Sequence, residues 1–551
     1  MAFSLKAVTL SLSIMASSLS FAGENVPAGD EVIAMVHKMG LASPPIAPLR
    51  GEESDGPFER LIIKNATVYD GTGAPAQGPL TIVIEGNTIV DIQGAGAAAA
   101  LHVEHDDGDA KVIDAKGMYV IPGFVDTHAH LGTPSHAFAG ALTDPEYVGK
   151  LWLAHGVTTI RDPGSIMGLG WTLEHKRLAE EGKIAMPRIQ AYSFFPEDIV
   201  EEKEAEKWMR AIQRRGADGV KFVGGNPRGV RAAIAASLKL GMGSMAHHAQ
   251  LNVAQLDARQ SAELGLKSIE HWYGIPEAMF TDRTVQDYPS SYNYNNEQDR
   301  FRHAGHLWRQ SAEPGSKVWN DTIEHFIELG TSMTPTFSIY DVNRDLTRAK
   351  SLPWFEDYAM PYVMRSFQAN PKIHGAYHFD WTTEDEIAWK DNFSLWMQFI
   401  KDFHVAGGRV TAGSDTGFLY GLYGFGFIRE LEMLQEAGLH PLEVLKVATI
   451  NGAELLGLDR MTGSIEIGKR ADLVIVKENP LANFKVLYGT AHSYYDFDKQ
   501  QQAETTGIMY TVRDGIVFDS EMLLAQVRDL VEARKLAEAQ AANAKSMSSK
   551  N

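Results

Sequence analysis

Eight apolar, strand-like runs separated by stretches with helical spacing constrain this chain more than any other feature. They are Tyr119 to Asp126, Thr158 to Arg161, Arg188 to Tyr192, Gly219 to Val223, Gly243 to His247, Lys267 to His271, Ser332 to Phe337 and Arg409 to Asp415. Strands that alternate with helices call for a parallel sheet, because two parallel neighbours need a long crossover to return the chain. Eight such units predict an α/β fold, a (β/α)8 TIM barrel over residues 119–450. Barrels of this kind place their chemistry at the C-terminal ends of the strands. Two insertions interrupt the rhythm, from His271 to about Trp319 and from Tyr340 to about Trp396. Both are rich in aromatic residues, which suits either a lid or added packing.

Short β-branched runs flank the barrel region. Leu61 to Val68, Thr81 to Ile84, Thr88 to Ile92 and Lys111 to Ile113 lie before it, and Ala471 to Val476, Ile508 to Val512 and Ile516 to Phe518 after it. Turn signals such as Asp70-Gly71 and Asp514-Gly515 separate them. They predict a small β-sandwich domain formed from both flanks, residues 59–118 and 451–520. Residues 521–551 read as an amphipathic helix, with apolar spacing from Glu521 to Ala541, and a polar tail. Residues 23–58 are rich in Pro, Gly and Glu and read as an N-terminal arm.

Residues 1–22 have Lys6 as their only early charge, an apolar run from Ala7 to Ala16 and the small-x-small site Ser20-Phe21-Ala22. That is the pattern of a secretory signal peptide cut after Ala22. A membrane span needs about 20 apolar residues, more than this Ser-dotted run supplies. The expectation is a periplasmic or secreted protein with no membrane span in its mature form. No cysteine is present, which excludes disulfides, thiolate chemistry and Cys-ligated zinc. A formal charge of −19 without clustered Lys and Arg argues against a nucleic-acid partner. A homo-oligomer stays open.

The segment GMYVIPGFVDTHAHLG runs an apolar strand straight into His128-Ala129-His130. Side chains two apart on a strand share a face, so both imidazoles point into the barrel mouth and can grip one ion. Packing alone gives no reason for such an ending.

With this strand, GADGVKFV, SMAHHAQ, SIEHWYG, TAGSDTG and ATINGAELLGLDRMTGSIEIGKRADLVIV, the chain resembles the amidohydrolase superfamily over about Leu61 to Phe518. The likeness is to the branch of imidazolonepropionases and prolidase-like dipeptidases. It implies two divalent metal ions sharing an attacking water, with His128, His130, Lys221, His247, His271 and Asp415 as ligands. Lys221 stands where the family has a carboxylated lysine. A bare ammonium has no lone pair, whereas a carbamate offers two oxygens that bridge two cations. His247 and His271 stand where two histidines hold the second ion, and His248 competes with His247. Some members carry a carbonyl-polarising tyrosine two residues after the first of these, where this chain has Ala249. Asp415 stands as metal ligand and catalytic proton acceptor. Imidazole and oxygen donors suit zinc first, then manganese, cobalt or iron. Arg161 and His248 are candidate substrate contacts, Arg161 as a clamp for a carboxylate.

The reaction expected from the resemblance is hydrolysis of a C–N bond, amide or peptide, in a small substrate. The alternatives are a one-metal deaminase of cyclic amidines, a lactonase or esterase on the same site, and a metal-binding scaffold without activity. Lys221 stands against the deaminase and the complete ligand set against the scaffold.

Overall fold

A computed structural model describes residues 37–94 and 108–548. The leader expected at residues 1–22 and the arm up to residue 36 lie outside the described residues. The first strands are β1 (Ser54–Asp55), β2 (Arg60–Val68), β3 (Gln77–Glu85), β4 (Thr88–Gly94), β5 (Lys111–Asp114) and β6 (Tyr119–Pro122). There follow β7 (Phe124–Asp126), β8 (Val157–Asp162), β9 (Arg188–Phe194), β10 (Gly219–Val223), β11 (Gly243–His247), β12 (Ser268–Glu270) and β13 (Ser332–Thr334). The last are β14 (Leu473–Val476), β15 (Ser493–Asp496), β16 (Gln501–Glu504), β17 (Ile508–Arg513) and β18 (Ile516–Asp519).

Strands β7 to β13 form one seven-stranded sheet in chain order, every pair parallel. Helices such as Pro145–Ala154, Leu169–Glu180, Glu202–Arg215 and Pro227–Leu240 supply the crossovers. Asp144 and Asn226 cap two of their N-termini ahead of a proline, and Gly216 and Gly241 take the left-handed conformation after the last turn of two. Because helices cover the sheet, β8 is buried along its whole length, as parallel strands are.

The run Arg409 to Asp415 is not a regular strand, but it joins both edges of this sheet. Val410 pairs in parallel with Met333, and the Thr411 N–H donates to the Met333 carbonyl at 2.9 Å. On the other side the Thr127 N–H donates to Ala412 at 2.9 Å and the Asp415 N–H to His128 at 2.7 Å.

The single run expected from Tyr119 to Asp126 is instead two strands in two sheets. β6 pairs with β14 and β2, β7 with β8, and the chain crosses between sheets at Gly123. A Cβ there would lie 2.3 Å from Thr158 Oγ1, so only glycine lets the backbone pass.

The flanks share one nine-stranded sheet, ordered β1-β18-β17-β14-β6-β2-β3-β4 with β5 on β2. A separate hairpin, β15 with β16, stands apart from it. Hydrogen bonding therefore runs continuously from one flank of the chain to the other. β2 makes this possible: its register shifts around Ala66, and Asn65 turns left-handed at φ 60°. One end of β2 then takes β5 and the other takes β6.

Arg188 on β9 ties the two sheets together, meeting Asp472 at 2.8 Å and Asp514 at 2.7 Å out of water. The C-terminal helix Ser520–Ser548 continues past Ala541 and buries Leu523, Leu524, Val527 and Val531, packing on helix Pro145–Ala154. No described helix is long and apolar enough to cross a membrane.

The insertions are largely packing. Trp308 and Trp319 from the first pack on Phe399 of the long helix Thr383–Val405, whose Trp389 and Trp396 pack in turn on Trp272, all of them buried. Arg302 pins the two together by reaching Asp380 and Asp385, each at 2.9 Å.

Candidate metal centre

The candidate metal ligands gather at the C-terminal ends of the parallel strands. Among the described residues, His128, His130 and Asp415 bring one ligand atom each within 4.8 Å of one another. His130 Nε2 lies 3.1 Å, and His128 Nε2 3.4 Å, from Asp415 Oδ1. Both imidazoles converge although regular pairing ends at Asp126. Lys221 on β10 adjoins the trio, its Nζ 3.3 Å from His128 Nε2. His271 follows β12 with its ring centroid 5.0 Å from that of His128, and His247 ends β11 at 4.6 Å from His271.

Backbone shape aims two of these groups. Asp415 and His271 both adopt left-handed conformations, φ 50° and 64°. Non-glycine residues held there cost about 1–3 kcal/mol each, a strain that clusters at functional sites. The Asp415 N–H bond to the His128 carbonyl fixes the first turn.

Hydrogen bonds choose the imidazole tautomers. His128 Nδ1 donates to Glu270 Oε2 at 2.7 Å, which leaves the Nε2 lone pair facing Asp415 and Lys221. Thr336 Oγ1 donates to the Pro335 carbonyl at 2.6 Å and so accepts from His271 Nδ1, also at 2.6 Å. The His271 Nε2 lone pair is then left toward Asp415, 3.7 Å away. Burial holds His128, His247 and His271 well below the ordinary imidazole range, which favours the neutral form that binds metal. Burial likewise brings the Lys221 ammonium down to about 8. Neutral amine, which carbamate formation requires, is accessible there. Asp126, beneath the site, is pushed up to about 7 by burial and accepts from the Ser414 N–H and hydroxyl and the His128 N–H.

Two candidates have other employment. Arg161, expected as a substrate clamp, is fully buried and bonded to Glu270 at 2.8 Å, to Ser268 at 2.9 Å and to the Thr127 carbonyl. A strand-end arginine beside a buried carboxylate lowers its energy more by pairing inward than by waiting for a ligand. His248 turns to the opposite side from His247 and meets Ser261 at 2.9 Å, as strand alternation requires. Sequence reasoning missed Glu270, Thr336 and Tyr273. An acidic residue inside the apolar run SIEH was the one signal that pointed to Glu270.

Imidazoles and a buried carboxylate gathered at the strand ends of a parallel sheet make an α/β fold whose donor set suits a divalent metal. Residues 397–506 match the model of the amidohydrolase family. A dihydroorotase of Thermoanaerobacter sp. (strain X514) is 41% identical over 75 residues, 14% of this chain and 15% of that protein. The matched stretch thus spans well under a fifth of this relative. A crystal structure of a Xaa-Pro dipeptidase with methionine in its active site superposes with a TM-score of 0.56 at 19% identity, covering 84% of this chain and 100% of that one. A bottromycin amidohydrolase gives 0.56 at 16% identity, covering 95% and 96%. The chain is amidohydrolase-like in sequence over 397–506 and in fold over most of its length.

Proposed function

We propose that this protein is a metal-dependent amidohydrolase that cleaves a C–N bond, amide or peptide, in a small substrate such as a dipeptide or N-acyl amino acid. In this reading the segment Arg409 to Asp415 is the eighth stave of a closed barrel. The leader at residues 1–22 carries the protein out of the cytoplasm.

One observation carries the proposal. Asp415 Oδ1 is buried with no hydrogen-bond partner while it faces the Nε2 lone pair of His128 and lies 3.1 Å from His130 Nε2. An acceptor left among acceptors is costly unless a cation belongs between them. His128, His130 and Asp415 suit a first divalent ion, His247 and His271 a second, and a Lys221 carbamate would bridge the two. Zinc is the first choice. Such ions polarise a scissile carbonyl and acidify water.

The protein's own groups do the rest. Asp415, held by the His128 carbonyl, is placed to accept the proton of the attacking water and return it to the leaving nitrogen. Glu270 and Thr336 keep His128 and His271 in the ligating tautomer. Arg161 fixes Glu270 from behind.

The test is turnover of a panel of dipeptides, N-acyl amino acids, cyclic amidines and lactones by metal-replete protein. Amide cleavage that falls at least ~100-fold in Asp415→Asn, which cannot take a proton, is the expected result. Turnover confined to lactones or amidines, or unchanged in Asp415→Asn, would refute the proposal.

A further inference from the structure

We infer that Tyr273 and Arg300 form a subsite for a carboxylate of the substrate, beside the metal centre on the His247 side. The inference rests on the hydrolase reading above and narrows it: the substrate carries a free carboxyl group.

Tyr273 follows His271 directly past Trp272, and its ring centroid lies 5.3 Å from that of His247. The residue is only 2% exposed, yet its hydroxyl has no hydrogen-bond partner. A buried hydroxyl without a partner costs about 1–3 kcal/mol, which phenylalanine would avoid. Its retention next to a metal-ligating histidine points to a partner that arrives with the ligand.

Arg300 is the cation whose charge acts on this hydroxyl. It sits on helix Glu297–Ala304 of the first insertion, its guanidinium 5.0 Å over the Tyr294 ring and 5.0 Å over Phe301. Its positive charge bears on Tyr273, on Tyr340 and on His247. Tyr340 in turn lies edge-on to His271, 5.6 Å between centroids, and 6.1 Å from Phe301, the ring beneath the guanidinium. Of the five N–H groups of a guanidinium, the bond from Nη2 to Glu297 at 3.0 Å takes one and a bond to the Tyr294 side chain a second. Glu297 is shared, since it also accepts from His374 and from the Gly375 N–H.

A planar fork beside a lone hydroxyl donor matches a carboxylate, which accepts two N–H bonds and a third from an O–H. Arg161 is closed to this role by Glu270, Ser268 and Thr127. The insertion thus supplies the cation that the strand end does not.

The experiment pairs N-acetyl-L-leucine with its carboxamide on the full-length, metal-supplemented protein. Calorimetric binding and steady-state turnover are both followed. Wild type binds the acid at least ~10-fold better than the carboxamide, and Arg300→Met weakens the acid by about 10–100-fold while moving the carboxamide no more than about 2-fold. Arg300→Lys recovers part of the loss, and Tyr273→Phe weakens the acid by a smaller factor. Equal binding of acid and carboxamide by wild type, or equal losses for both in Arg300→Met, overturns the inference. Should Arg300→Met fail to fold, Tyr273→Phe decides: selective loss of the acid supports the subsite and no loss overturns it. Binding that discriminates without turnover removes the hydrolase reading alone, and turnover indifferent to the carboxylate removes the subsite alone.

Discussion

The carboxylate of Glu270 is divided between two partners, one oxygen 2.7 Å from His128 Nδ1 and the other 2.8 Å from Arg161 Nη2, with all three side chains out of water. This arrangement sets the tautomer and the orientation of a proposed ligand from behind. Glu270→Gln removes the charge that holds the His128 N–H, and partners of this kind support metal affinity by about 10–100-fold. Competition with a chromophoric chelator should show a loss of that size. Wild-type affinity would mean that Glu270 only packs.

Arg188 and Asp472 join the parallel sheet to the flanking sheet at 2.8 Å. Burial alone would push the Asp472 carboxyl up, but Arg188, Thr462 and the Asp514 N–H together hold it below its usual 3.8. A depressed carboxyl contributes stability above its unfolded value and loses it as pH falls through the folded one. Arg188→Met leaves the Asp472 carboxylate buried without its cation, which should cost about 3–5 kcal/mol at pH 7. The gap to wild type should narrow in acid below pH 3.8. Urea unfolding at pH 7 and pH 3 checks both statements.

Gly123→Ala should destabilise the protein by about 1–3 kcal/mol, because the new Cβ meets Thr158 Oγ1 at 2.3 Å and Cγ2 at 2.4 Å. Adding Thr158→Ala removes those two atoms and should restore part of the loss. Thermal melts of the single and double variants read this directly. Equal stability of wild type and Gly123→Ala would show that the crossing between sheets has room to spare.

What was legible in the sequence was what local pattern controls. The six proposed ligands lie at the ends of apolar runs, and apolar runs are visible because strands buried on both faces have no polar positions. Less legible was anything decided by a distant partner. Nothing near Arg161 shows that Ser268 and Glu270 will consume it. The unbroken run from Tyr119 to Asp126 hides a change of sheet, because the constraint at Gly123 comes from Thr158, far along the chain. The aromatic insertions looked alike, and only packing separates Trp308 and Trp319 in the core from Tyr273 beside His247.

Lys221→Ala should lose metal, since the bridging oxygens go with the side chain. Added short carboxylic acids should restore part of the activity by standing in for the carbamate. Full activity without additives would remove the bridging role.

The most direct measurement is a count of metal ions per chain by plasma mass spectrometry, before and after chelation, with amide turnover followed alongside. The account predicts about two ions per chain, activity lost on chelation and activity restored by zinc or manganese. Intact, metal-replete protein that holds no ion, or that turns over amides equally well after chelation, would contradict it.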